Sequence, residues 1–153
     1  MRILTTFAAF LLAASAQAQS APPPDGPAKQ RSDLMRTMLR NAYQPMAQQL
    51  KAGGVPDRNV IEKAFVVLAE AGARLPALWP MNSPSSNEGR YASSPKVWQD
   101  KADLDGRLAK FTESLQGSRA KALEGVEGLQ VALKALDQNC NGCHEAYRVR
   151  LQQ

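Results

Sequence analysis

Both cysteines of this chain and its only histidine fall in five consecutive residues, Cys140-Asn141-Gly142-Cys143-His144. Cysteines three apart share one face of a helix, and a histidine four after the first lies one turn further along the same stripe. The pattern C-x-x-C-H is the attachment signature of a c-type haem. Each thiol adds across a porphyrin vinyl group to form a thioether, and the neighbouring imidazole ligates the iron. The motif also sits at the end of an apolar seam. Ala122, Val126, Leu129, Leu133, Leu136, Cys140, Cys143 and Tyr147 recur by fours and threes, the spacing of a helix buried along one side. The two thiols are therefore expected at core positions of a helix bundle.

Other readings of the cysteine pair meet obstacles in the rest of the chain. A thioredoxin-like redox pair needs a strand-to-helix turn in a βαβ setting, and no convincing strand is present. A structural zinc site needs four protein ligands, and no further Cys or His exists to complete it. A disulfide would leave His144 without a role.

The start of the chain supports the same chemistry. Arg2, the apolar run from Ile3 to Ala14 and the stretch Ala16-Gln17-Ala18 follow the order of an export signal cleaved after Ala18. That run is too short to span a bilayer. Residues 1–18 are expected to be a signal peptide, and the mature protein is expected in a bacterial periplasm without stable membrane insertion. Residues 19–27, rich in proline, read as a flexible leader. Residues 28–153 suffice for one domain with one core. The formal charge of +5 is scattered without a basic run, which speaks against nucleic-acid binding.

Four helical segments can be read. The first covers roughly 29–52, carries Leu34, Met35, Met38, Leu39, Ala42, Met46 and Leu50, and stops at Gly53-Gly54; Pro45 should kink it. A second begins at Asp57 as N-cap and ends at Pro76. A third follows Ser94-Pro95, with its stripe running from Val97 to Leu115. The fourth is the motif helix. Short links at 53–56 and 117–120 imply antiparallel neighbours, hence an all-α, up-down-up-down four-helix bundle. In that topology the start of helix one, the long loop 77–93 and the end of helix four share one end. His144 is about six residues, or roughly 9 Å, from the end of its helix, and Met35 is about as deep in helix one. Met46 lies roughly 25 Å in and is out of reach. Met35 can therefore face a metal from the side opposite His144, while Met81 in the loop also stands at that end.

Four stretches together resemble the class II c-type cytochromes, which comprise cytochrome c′ and its low-spin relatives of the cytochrome c-556 type. They are Arg31-Ser32-Asp33-Leu34-Met35, Leu75-Pro76-Ala77-Leu78-Trp79-Pro80, Ser93-Ser94-Pro95-Lys96-Val97-Trp98 and Cys140 to Arg148. The resemblance implies one covalent haem c between helices one and four, bound through Cys140 and Cys143 with iron on His144. In the low-spin branch a methionine of the first helix is the sixth ligand, and Met35 stands at the matching position. In cytochrome c′ proper the iron is five-coordinate, so Met35, Met81 and no sixth ligand all stay open. Arg31 and Arg148 match recurrent arginines near the haem and could pair with its propionates. Trp79, Tyr91 and Trp98 could pack on the porphyrin.

The resulting expectation is a periplasmic electron carrier, not an enzyme, exchanging single electrons with redox partner proteins. The alternative is a five-coordinate module that binds nitric oxide or carbon monoxide. Peroxidase-like chemistry lacks a distal histidine to act as acid–base catalyst. The sequence leaves monomer and homodimer equally open.

Overall fold

Glycine and proline set the breaks between the rods. In the computed structural model, which describes residues 26–86 and 89–152, α1 (Pro27–Met38) has proline in its first turn, where the missing N–H costs nothing. The expected signal peptide and most of the leader lie outside the described residues, and Pro27 already belongs to α1. The kink expected at Pro45 takes the form of a π turn, Leu39–Tyr43, followed by α2 (Gln44–Ala52). Gln44 donates its N–H to the Leu39 carbonyl five residues back. The extra residue absorbs, just upstream, the misfit that a proline brings into a helix. The rod ends at Gly53 and Gly54, whose φ values of +71° and +80° suit glycine. Asp57 then caps α3 (Arg58–Arg74), accepting from the Asn59 N–H at 2.7 Å. Asp57→Ala should lower stability by about 1 kcal/mol in urea unfolding.

A 3₁₀ turn, Leu75–Leu78, leads into the long loop. After it come β1 (Tyr91–Ser93), α4 (Lys96–Gln99), α5 (Lys101–Ala122), α6 (Val126–Tyr147) and β2 (Arg148–Arg150). The α1/α2 rod packs on α3, α3 on α5, α5 on α6, and α6 on α2, which closes the expected four-helix bundle. Met46, Ile61, Val97, Leu104, Leu129 and Leu136 are fully buried at its centre. No described helix is long and apolar enough to cross a membrane.

Three local expectations need correction. The third helix is broken at Asp100, with φ −129°, into α4 and α5. The Asp100 carboxylate accepts from the Asp103 N–H at 3.4 Å and so starts a new helix, while Ser94 Oγ accepts from the Lys96 N–H at 3.3 Å before the short one. The link between the last two rods is not at 117–120, because α5 continues to Ala122. Gly117 and buried Ser118 are helical, and Arg119 is held by Glu62 of α3 through bonds of 2.6 and 2.8 Å. Gly125, with φ +116°, makes the actual turn.

Finally, the motif helix stops at Tyr147, and strands are present. Tyr91 pairs with Arg150, Ala92 with Val149 and Ser93 with Arg148 in an antiparallel ribbon. Backbone bonds of 2.8 Å from Ser94 N–H to Tyr147 O and from Leu151 N–H to Arg90 O extend it at both ends. Runs of three residues are too short for alternation to reveal.

Candidate cofactor site

Below the π turn, α2 packs on α6; above it, α1 does not pack closely there, and a cleft of about 560 Å³ opens between the two rods. Leu136, Cys140, Cys143 and His144 line it from α6, and Met35, Met38 and Leu39 from the first rod. The structure therefore brings the motif and Met35 to one cavity. Met81 is 70% exposed and does not line the cleft, and Met46 is buried in the core. Cys140 is exposed where it lines the cleft, and Cys143 and His144 are half-buried there.

Burial, aided by the positive charge of Arg148, pushes the His144 imidazole down to about 4. The ring is neutral at physiological pH and has a free lone pair, the form that ligates a metal. Burial raises the Cys143 thiol, and the Arg107 guanidinium partly counters this.

A polar cluster on α5 braces the motif from behind. Arg107 Nη1 donates to the Gly142 carbonyl at 2.9 Å, inside the C-x-x-C-H, and Arg107 Nε donates to Asp103 at 2.7 Å. The buried Tyr147 hydroxyl donates to the same carboxylate. Burial and that carboxylate push the Tyr147 phenol up to about 12. On the first rod, the Tyr43 hydroxyl donates to Asp137 of α6 at 2.9 Å, one turn before Cys140. Tyr43, Asp103, Arg107 and Asp137 are not singled out by the sequence, and Tyr147 stands there only as the last position of the apolar seam. The Asp103–Arg107 spacing of four is visible there, but the register that brings Tyr147 to Asp103 across two helices is not.

The two expected arginines both line the cleft. Arg31, 5% exposed, donates to the Leu78 carbonyl at 2.6 Å, to Ser83 Oγ at 3.4 Å and to the Pro84 carbonyl, and it stacks 5.7 Å from the Trp79 ring. Among the described residues no carboxylate pairs with it. Arg148 starts β2, outside the motif helix, with its guanidinium 4.6 Å from the Tyr91 ring centroid. Trp79 and Tyr91 line the cleft, and Trp79 Nε1 donates to Ser93 Oγ at 3.1 Å. Trp98 does not line it and donates to the Pro80 carbonyl at 3.1 Å.

A four-rod bundle whose last helix carries C-x-x-C-H into a cleft against the first helix defines a bundle-type c-type cytochrome. The family model described as cytochrome c′ matches residues 26–148, and the chain belongs to that family. Over 125 residues it is 32% identical to cytochrome c′ of Rhodopseudomonas palustris, covering 79% of this chain and 80% of the relative. Cytochrome c-555 of Bradyrhizobium diazoefficiens is 29% identical over 126 residues, covering 81% of this chain and 83% of that protein. A structure of oxidised cytochrome c556 from Rhodopseudomonas palustris superposes with a TM-score of 0.70 at 25% identity, covering 82% of this chain and 98% of that one. The family is one of electron carriers and gas-binding proteins, and its cofactor is covalently attached haem c with iron.

Proposed function

We propose that this protein is an exported, periplasmic carrier of single electrons whose haem iron is held between His144 and Met35. The observation that carries the reading is that Met35 of α1 and His144 of α6 line one cleft, while Met81 stands outside it. The residues suit the group. Cys140 and Cys143 supply the two thiols for attachment, and neutral His144 supplies the axial nitrogen. Arg31 is a desolvated cation bonded to carbonyls and, among the described residues, without a carboxylate partner. A buried unpaired charge is costly, and a propionate carboxylate beside it would offset that cost. Arg148 offers a second positive charge on the same cleft.

When bound, the haem supplies ferric/ferrous one-electron chemistry, and a thioether ligand favours the ferrous state. The chain's own part is to fix the ligands and keep water from the iron. Asp103 and Arg107 brace the motif from α5 by holding the Tyr147 hydroxyl and the Gly142 carbonyl. Tyr43 and Asp137 join the two rods at the base of the cleft, and Trp79 covers a side of it. A rigid ligand set that changes little between oxidation states suits fast transfer.

Optical spectroscopy on the purified holoprotein tests this. Sharp α and β bands on reduction and a weak far-red band on oxidation are expected, with an intact mass one haem above the polypeptide and colour that survives acid–acetone. A high-spin spectrum with avid carbon monoxide binding would favour the five-coordinate alternative. Extractable colour would overturn covalent attachment through the cysteines.

A further inference from the structure

The β1–β2 ribbon concentrates positive charge at one place on the surface. Arg90, Arg148 and Arg150 cluster on it, and among the described residues none of the three forms an ion pair. On the helices Arg36, Arg58, Arg107 and Arg119 each pair with an aspartate or glutamate. The exposed Arg40 and Arg74 also lack an ion pair among the described residues but stand far apart in sequence. Glu88 and Glu145 adjoin the ribbon in sequence, against Arg90, Lys96, Arg148 and Arg150, so positive charge prevails. Apolar groups are exposed on the same ribbon: Tyr91 is 48% exposed, Val149 40% and Leu151 39%. Tyr91 faces Arg150 across the strands and carries the Arg148 guanidinium on its ring. Arg90 and Arg150 also flank a surface hollow of about 700 Å³ with Leu151 and Gln152. The backbone beneath is fixed by the ladder, so the arginines are presented from a rigid base.

Position gives this patch a purpose. Tyr91, Ala92, Ser93 and Arg148 line the cofactor cleft from the ribbon side. A macromolecule seated on the ribbon therefore lies against the wall of the cleft. Arginine and tyrosine with exposed apolar neighbours are the composition of protein interfaces, and unpaired positive charge steers an oppositely charged partner to fast encounter.

We propose that the ribbon is the docking surface for a redox protein that presents carboxylates around its own electron-transfer centre. The proposal builds on the electron-carrier reading. Arg90 and Arg150 supply the steering charge, and neither lines the cleft.

The test uses reduced holoprotein, wild type and Arg90→Glu/Arg150→Glu, in stopped flow. The probes are anionic hexacyanoferrate(III) and cationic tris(phenanthroline)cobalt(III), each of which accepts one electron. At low salt the double variant should react about tenfold more slowly with the anion, and no more slowly with the cation. Raising the ionic strength from about 10 mM to 0.15 M, which shortens the Debye length from roughly 30 to 8 Å, should erase most of that difference. A second readout does not depend on the haem reacting. Adding oligo-glutamate should shift amide resonances at 89–93 and 148–152 in the wild type and leave them unmoved in the variant.

Equal rates for both proteins with both probes, or shifts spread over lysines and arginines everywhere, would overturn the surface while leaving the carrier reading intact. Wild-type protein that gives an electron to neither probe would overturn the carrier reading and the proposal with it. Ribbon-dependent sedimentation with phosphatidylglycerol vesicles, without oligo-glutamate shifts, would replace the protein partner by a lipid surface.

Discussion

Met35→Ala is expected to convert the haem from low to high spin, remove the far-red band of the oxidised protein and admit carbon monoxide to the iron. The side chain is half-buried and lines the cleft from α1. Alanine there leaves open space and no donor atom. Losing a thioether ligand should also lower the reduction potential, because that ligand favours ferrous iron. The stability cost should stay at or below the lower end of the 2–5 kcal/mol typical of a buried methionine, since Met35 is only half-buried. Met38→Ala is the control. It lines the same cleft one turn deeper in α1, and its loss should leave the spectrum low-spin. The opposite pattern, with Met38→Ala changing spin and Met35→Ala silent, would transfer the ligand role to Met38.

Two glycines should respond to alanine with opposite signs. A Cβ on Gly128 would stand 2.0 Å from the Lys121 carbonyl oxygen and 3.1 Å from Glu124 Cβ, because the first turn of α6 meets the last turn of α5 there. The nearest atom is backbone and cannot swing away, so the turn itself must shift. Gly128→Ala should lower stability by about 3 kcal/mol, the upper end of the usual overpacking cost. Gly117 lies inside α5 with open space at its Cβ position. Gly117→Ala should raise stability by about 0.5–1 kcal/mol through helix propensity. Thermal unfolding of the holoprotein reads both, and a Gly128→Ala protein as stable as the wild type would refute the close approach at Gly128.

Glycines also mark where the sequence was legible and where it was not. The seam from Val126 to Tyr147, the cap at Asp57 and the stop at Gly53-Gly54 depend on spacing and local backbone chemistry, and all were readable. So were the four-rod architecture and the family. Gly117 and Gly125 are alike as letters, yet one is helical and the other is a turn with positive φ. Only the packing of α5 on its neighbours distinguishes them. The ribbon escaped for a related reason. Residues 91–93 and 148–150 have no periodicity of their own, and their pairing is set by where the bundle places the loop. At the cleft, the motif and Met35 could be proposed from local spacing and depth. The brace from Asp103 and Arg107, and the bond from Tyr43 to Asp137, depend on the rotation of whole helices about their axes, which side-chain identity does not specify.

Arg31 has a consequence for how such a protein can change over time. Apart from Ser83 Oγ, its hydrogen-bond partners in the loop are main-chain oxygens, those of Leu78 and Pro84. Every amino acid offers a carbonyl, so the guanidinium dictates the path of this segment without dictating its letters. Substitutions can accumulate there with little effect on the course of the chain beside the cleft. The arginine itself has no such freedom, since a lysine would bring one compact ammonium where a planar fork now reaches two carbonyls at once. Drift along the loop combined with intolerance at Arg31 is the pattern that descendants of this sequence should carry.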